Sequence, residues 1–332
     1  MTAAIADYLW FEQRFPDLAK AYCITLVGPR AVIGGRMTAP NVPACSRPPQ
    51  GCARSARRRM TTWARDSVSR MEIRPAGDGD IAEIARIATA NGDGDGANPR
   101  YVAHLRGNGG FLVAVTGREV AGYCAIRRFA GATMLCDLFV DPVRHGGGVG
   151  RRLLEAAFPG SEARFTFASQ DPRAMPLYLR HGMRPRWPLL YLSGPPGRDA
   201  EPSATRVDVV DAGAAESLLT GVDRTADYAY WAVTPGTTGV LVYDDGAVAA
   251  AGVAGPDNLI HLTTASGHDP AAALRSALTV FDAPTVRVCL PGPHPAVEDL
   301  LRARWRIDTY DHHMSSVADI IGSDRVLSPS LA

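Results

Sequence analysis

The 332 residues exceed what one hydrophobic core usually holds, so two domains plus additional segments are expected. Hydrophobic residues at 46% and charged residues at 21% are those of a globular chain. A net charge of +1 argues against a nucleic-acid binder driven by overall electrostatics, and no apolar run reaches the ~18 residues of a membrane helix.

Neither nucleic acid nor a membrane is therefore expected as a partner, and the cytoplasm is the expected location. The apolar run Ala21 to Val27 is too short for a secretory leader and lacks a charged start and a cleavage site. Cys23, Cys45, Cys52, Cys124, Cys136 and Cys289 form no C-x-x-C pair, and no histidine cluster accompanies them, so no metal is expected. Cys124 and Cys136 sit in apolar runs and read as core thiols.

Residues 1–70 open with a possible short helix, Ile5 to Phe15, and then turn to Pro, Gly, Ser and Arg. Between Pro43 and Arg70 there are seven Arg and one Asp without helical or strand periodicity. Such a segment buries too little apolar surface to offset its ordering entropy. It is expected to be a disordered or non-native extension, with Met60 or Met71 as the natural start.

From Met71 the pattern becomes regular. Glu72 to Arg74 reads as a strand. A helix follows, with Asp80 and Glu83 at capping-box spacing and Ile81, Ile84, Ala85 and Ala88 on one face. Asn91 to Gly96 is a Gly/Asp loop. Phe111 to Val115 and Val120 to Ile126 form a hairpin around Thr116-Gly117. Met134 to Val140 is a strand running into His145-Gly146-Gly147-Gly148-Val149-Gly150 and a short helix bearing Leu153, Leu154 and Ala157. Arg164 to Ala168 is a strand, Asp171 to His181 a helix stopped by Gly182, and Trp187 to Leu192 a strand.

A Pro/Gly linker, Gly194 to Ser203, separates a second block in the same order. It has strand Val207 to Val210, helix Ala212 to Leu219, hairpin strands Val240 to Tyr243 and Val248 to Val253, and strand Leu259 to Thr264. Helix Ala271 to Phe281, strand Thr285 to Leu290, helix Pro295 to Arg304 and a strand between Ile307 and Val317 complete it. Two blocks with one element order suggest an internal duplication.

A strand, a glycine loop and a helix start at Met134 to Ala157 carry the strongest chemical signal. Amides at the helix N-terminus and the positive end of its dipole make a site for phosphate or pyrophosphate. A P-loop is excluded because Arg151-Arg152, not Lys-Ser/Thr, follow Gly150, and the dinucleotide G-x-G-x-x-G pattern fails at Arg151. A structural glycine turn is the competing reading.

Leu138-Phe139-Val140-Asp141-Pro142, His145-x-x-Gly148-x-Gly150 and Leu153-Leu154 resemble motif A of the GNAT acetyltransferase superfamily. Asp171-x-x-Ala174-x-x-x-Tyr178-x-x-x-Gly182-Met183 resembles a second segment of that family, with Asp for Asn and Met for Phe. The resemblance covers Met71 to Leu192. It implies an α/β fold with a central mixed sheet flanked by helices, in two tandem GNAT-like acyl-CoA N-acyltransferase domains, 71–194 and 204–320.

It also implies acetyl-CoA as co-substrate, with the pyrophosphate on the amides of Gly146, Gly147, Gly148, Val149, Gly150 and Arg151. The pantetheine arm would lie along Leu138, Phe139 and Val140, with Asp171 nearby. His145 stands where the family usually has Gln or Arg, so Arg144 or Arg151 could supply that contact. Tyr178 takes the position of the acid that protonates the leaving thiolate, and helix packing is its competing role. Backbone amides of the strand would stabilise the oxyanion.

No general base is assigned. Met134 stands where a Glu often serves, and Asp137, Asp93, Asp95 or a water chain are candidates. The second block has one glycine, Gly267, followed by His268-Asp269-Pro270, and no tyrosine at the acid position, so it resembles a degenerate GNAT copy. Arg224, Asp227, Tyr228 and Trp231 share a helical face that either borders a substrate cleft or packs between domains. His312-His313 reads as the end of a solvated strand. The expected activity is acetylation of a small-molecule primary amine by direct attack, by a monomer or homodimer. A non-catalytic acetyl-CoA-binding module and a protein-amine acetyltransferase are the alternatives.

Overall fold

The computed structural model describes residues 71–93, 98–129, 131–160, 162–197 and 203–331, so the expectations for residues 1–70 and for Asp95 lie outside the described residues. In the first half the elements are β1 (Met71–Pro75), α1 (Ile81–Ala90), α2 (Pro99–Asn108), β2 (Gly109–Thr116), β3 (Glu119–Phe129) and β4 (Ala132–Val140). They continue with α3 (Val149–Ala157), β5 (Ala163–Ala168), α4 (Ala174–Arg180) and β6 (Arg184–Gly194). The second half repeats the series as β7 (Ser203–Val207), α5 (Val209–Thr220), α6 (Thr225–Ala232), β8 (Thr238–Asp244), β9 (Ala247–Ala254) and β10 (Asn258–Thr264). It ends with α7 (Pro270–Ala277), β11 (Val286–Pro291), α8 (Val297–Arg302) and β12 (Arg306–Ser315).

All the strands join one 12-stranded sheet in the order β1-β2-β3-β4-β5-β12-β6-β11-β10-β9-β8-β7. Exchanging each strand for its counterpart in the other half reverses this order onto itself, as a pseudo-twofold relation requires. The exchange is not of whole domains. β12 runs antiparallel between β5 and β6, and β6 runs antiparallel beside β11, so each half lends its last strand to the other. Among the described residues only β4–β5 and β10–β11 are parallel pairs, each joined by a helix crossover. Gly194 closes β6 where a Cβ would come within 2.3 Å of Trp305, so the close approach requires glycine.

One sheet face carries α3 and α4 over the first half, and α7 and α8 over the second, in two separate apolar clusters. On the other face α1, α2, α5 and α6 merge into a single cluster that spans both halves. The face foreseen from Arg224, Asp227, Tyr228 and Trp231 belongs to this junction, not to an open cleft. Asp227 is fully buried and bonds His104 Nε2 of α2 at 3.0 Å, the guanidinium of Arg127 on β3 and that of Arg224. His104 stacks on Tyr230 with ring centroids 4.8 Å apart. Burial pushes the Asp227 carboxyl up, but the His104 hydrogen bond and the two arginines outweigh it and hold it at about 2.

Several local expectations are corrected. The sequence reading passed over α2, whose start is marked by Asn98 accepting from the Arg100 amide at 3.0 Å and by Pro99 in the first turn. Asp80 does not box with Glu83. It accepts from the Gly77 amide at 2.8 Å and from Arg74, while Glu83 pairs with Arg86. Val209 and Val210 are helical because Asp208 caps α5 through the Val210 amide at 2.8 Å, so β7 ends at Val207. Helix α4 begins at Ala174, after a turn held by Asp171. His313 is 1% exposed among Phe165, Phe167 and Trp187, so this end of β12 is not solvated.

Candidate active site

The ladder between β4 and β5 runs from Ala132↔Ala163 to Leu135↔Thr166 and then stops. Beyond it β4 continues to Val140 on β3 alone, while β5 pairs with β12. The strands therefore part like the arms of a V, leaving one edge of Leu138 to Val140 without a β5 partner. A bulge opposite Ala125/Ile126 sits in β4 between Leu135 and Asp137.

After β4, Asp141 accepts from the Val143 amide at 3.1 Å and from Arg86 at 2.6 Å, which turns the chain toward the glycine loop. Gly146 and Gly148 take φ of +77° and +80°, the left-handed region that glycine adopts without steric cost. Gly148 is the N-cap of α3 and brings no side-chain cap. The first main-chain bond back into this turn is Arg152 N–H to the Gly148 carbonyl at 3.2 Å, so the amides of Val149, Gly150 and Arg151 precede it and point out of the helix end. Gly147 differs from its neighbours: its amide donates to the Arg144 carbonyl at 3.1 Å.

Loop, open strand edge and α4 enclose one cleft of about 530 Å³. Leu138, Phe139, Val140, His145, Gly146, Gly148, Val149, Gly150, Arg151, Asp171 and Tyr178 all line it. Gly147 is the expected residue that does not. The sequence reading missed Asn91, Ser169, Arg173, Leu177, Arg180 and His181, which line it as well. Their spacing carries no motif, and only the fold of α4 over the loop brings them there.

His145 is turned inward. Its Nε2–H donates to the Val140 carbonyl at 3.0 Å and its Nδ1 accepts from Arg173, so it braces the loop against the strand end. Arg173 also donates through Nε to Asp171 at 2.9 Å, and this contact, with the Arg173 amide, holds the Asp171 carboxyl at about 2. The cleft wall thus combines Arg144, Arg151, Arg173 and Arg180 with helix-end amides, an electropositive setting for phosphates. Tyr178 is 6% exposed and lies over the cleft from α4, where burial raises its phenol well above the ordinary tyrosine value.

Across the sheet from α3 and α4 lies a second group of polar atoms. The hydroxyls of Tyr101 and Tyr123 and the Oδ2 of Asp137 are buried and have no hydrogen-bond partner among the described residues. Burial lifts the Asp137 carboxyl to about 7, with Tyr101 opposing and Asp93 adding to the shift. Met134, at the position where a base was considered, is a fully buried core residue.

The second half fills the equivalent space with its own chain. β10 and β11 part after Leu259↔Val288, and the segment after β12 enters the gap. Val326 exchanges two backbone bonds with Leu262, at 3.0 and 3.3 Å, and the Leu327 amide donates to the Cys289 carbonyl at 3.1 Å. At the start of α7 the Asp269 carboxylate caps the Ala271 amide at 2.9 Å, and Pro270 has no N–H.

Among the described residues no group of three or more His, Cys, Asp or Glu is placed to hold a metal ion, and no helix is long and apolar enough to cross a membrane. Residues 107–184 match the family model of the acetyltransferase (GNAT) domain. A solved candidate acetyltransferase from Pyrococcus horikoshii is similar with a TM-score of 0.63 at 17% identity, over 79% of this chain and 95% of that one. A tandem GNAT protein from the clavulanic acid biosynthesis pathway is similar at TM-score 0.54 and 15% identity, over 74% of this chain and 98% of its own. A GCN5-related N-acetyltransferase from Anabaena variabilis ATCC 29413 gives 0.54 and 16%, over 74% and 72%. No curated protein sequence matches the chain significantly. Residues 107–184 thus match a GNAT acetyltransferase domain, and the described chain has the fold of a tandem GNAT protein.

Proposed function

We propose that the chain transfers the acetyl group of acetyl-CoA to a primary amine of a small molecule, using the cleft of the first half alone. The observation that carries this reading is the convergence of three parts on one cleft. They are an uncapped helix start after a glycine loop, an open strand edge at Leu138 to Val140, and the Tyr178 phenol. The loop amides and the arginines suit the pyrophosphate, and the strand edge suits the amide groups of the pantetheine arm.

The amine nitrogen attacks the thioester carbonyl carbon, negative charge passes to the carbonyl oxygen, and β4 amides stabilise it. The C–S bond breaks as the C–N bond forms. Tyr178 gives its proton to the departing thiolate, and the nitrogen gives up a proton in turn. The block 71–194 is the working unit in this reading. The block 204–320 lends β12, backs the acceptor side and binds no second acetyl-CoA.

Steady thiol release from acetyl-CoA, dependent on an added primary amine, tests the proposal. Binding of acetyl-CoA without amine-dependent release would favour an acetyl-CoA-responsive module over an enzyme.

A further inference from the structure

The pseudo-twofold relation supplies an internal control for the acceptor side of the site. Each central strand is bulged one residue before a polar side chain, Asp137 in β4 and His261 in β10. Around His261 the polar groups satisfy one another. Glu216 accepts from His261 Nε2 at 2.9 Å, from Thr263 at 2.8 Å and from the Tyr228 hydroxyl at 2.6 Å, leaving only His261 Nδ1 unmet. Around Asp137 the groups are met less well: Tyr101 lies close enough to Asp137 and Ser330 for both to act on its phenol, yet Asp137 Oδ2 and the hydroxyls of Tyr101 and Tyr123 are buried atoms with no well-formed hydrogen bond among the described residues. Burying a polar atom without a partner costs roughly 1–3 kcal/mol, and native folds tolerate few such atoms outside functional sites. Three of them together, beside the point where β4 and β5 part, are groups kept for a ligand.

The chemistry of the surroundings narrows that ligand. Tyr123 packs against Phe111 and Phe139 with centroids 5.3 and 5.4 Å away, so the walls are aromatic. The charges next to Asp137 are negative, with Asp93 as its neighbour. Among the described residues the buried arginines are Arg127 and Arg224, and both are bound to Asp227. Arg127, which acts on Cys136 beside Asp137, is compensated by Asp227, so among the described residues an acceptor carboxylate or phosphate meets no uncompensated cation, whereas an ammonium meets a carboxylate, two phenol oxygens and aromatic faces.

We propose that the acceptor is a primary amine on an apolar aromatic or alkyl group, received by Asp137 between the Tyr101 and Tyr123 hydroxyls. Asp137 Oδ2 takes one proton from the ammonium, and the neutral nitrogen attacks the acetyl carbon. As the C–N bond forms and the C–S bond breaks, the thiolate takes the Tyr178 proton and the nitrogen's second proton passes through solvent to the Tyr178 phenolate; the amide keeps one N–H, and the Asp137 proton leaves to solvent. This inference rests on the acetyl transfer proposed above.

The test uses the full chain with saturating acetyl-CoA and follows thiol release with 2-phenylethylamine, n-hexylamine, glucosamine and L-glutamate. The expected result is a kcat/KM at least ~10-fold higher for the two apolar amines than for the sugar or the amino acid. Asp137→Asn is expected to lower it ~10²-fold or more at unchanged acetyl-CoA affinity, a range typical of general-base loss. A sugar or amino acid that outperforms both apolar amines overturns the proposal. So does acetyl-CoA binding with no turnover of either apolar amine, or full turnover by a folded Asp137→Asn chain. Should Asp137→Asn fail to fold, the ranking of the four amines by the unaltered chain still decides. Absence of acetyl-CoA binding in the unaltered chain would instead reject the underlying function.

Discussion

Asp137 and His261 occupy equivalent places about the pseudo-twofold axis, each following the bulged residue of its central strand. His261 is locked by Glu216, whereas Asp137 Oδ2 and the Tyr101 and Tyr123 hydroxyls make no well-formed hydrogen bond among the described residues. One fold position has thus become a structural knot in one half and an open chemical group in the other. The same asymmetry holds at the glycine loops and at the strand gaps, and the following expectations derive from it.

Gly148→Asp should weaken acetyl-CoA binding at least ~10-fold. The residue is at φ +80°, strained for any L side chain, and a carboxylate there would face the pyrophosphate at the start of α3. No atom lies within 4 Å of its Cβ position, so the cost to the fold is the left-handed backbone alone, about 1–2 kcal/mol, and the melting temperature should fall by only a few degrees. Calorimetric titration beside a thermal melt separates the two effects, and unchanged affinity would remove the loop from the site.

Acetyl-CoA should saturate at one equivalent per chain. The second gap is bridged by Val326 and Leu327, and the α7 start is capped by Asp269. A second equivalent of comparable affinity, surviving Gly148→Asp, would show that the C-terminal segment yields to ligand.

Tyr178→Phe should lower kcat by roughly 10² to 10⁴ with little change in acetyl-CoA affinity, since only a proton donor is lost. The ring itself stays in its apolar setting beneath α4, so stability should hold. Full turnover by this variant would leave Tyr178 as packing.

The Asp137 carboxyl, raised to about 7 by burial, is protonated below that pH and becomes a proton acceptor above it. The kcat/KM for an amine should therefore climb with pH through about 7, reporting the unliganded enzyme. The groups facing Asp137 are Tyr101 on α2, Tyr123 and Cys124 on β3, Cys136 beside it, Asp93 after α1 and Tyr178 on α4. The phenols and Cys124 are pushed upward by burial, to about 12 for Cys124, so none of them should mimic this limb. Asp137→Asn should abolish the limb near 7 and keep only the ionisation of the amine itself.

Asp227→Ala should cost about 3–5 kcal/mol, because it leaves Arg127 and Arg224 buried and unpaired at the junction of the halves. The folded carboxyl, at about 2, lies below the ordinary aspartate value of 3.8. Its stabilisation is therefore complete above about pH 4 and is lost as pH falls through about 2. Denaturant melts of both chains at neutral pH and near pH 3 should show the variant less acid-sensitive over that range.

Local sequence was enough for the elements with strong periodicity and for the loop. Gly146 and Gly148 permit the left-handed turns observed there, and the apolar Leu138 to Val140 run forms a strand. The GNAT resemblance at Ala174, Tyr178 and Gly182 pointed to Tyr178, which lines the cleft. The repeated element order also announced the duplication. Helix α2 escaped because its signal is brief: an Asn-Pro start and three apolar residues, Tyr101, Val102 and Leu105, with Gly107 soon after.

Tertiary structure alone decided the rest, because those facts depend on which distant segments meet. The exchange of β6 and β12 leaves each strand's own alternation unchanged, so no local pattern distinguishes it from pairing within each half. Whether Asp227 bordered a cleft or a junction was settled by His104 and Arg127, more than 90 residues away in the chain. Asp137 could be counted in the sequence as one carboxylate among several. Its chemical character arises only where the β4 bulge buries it beside Tyr101 and Tyr123, since desolvation belongs to the packed environment and not to the residue.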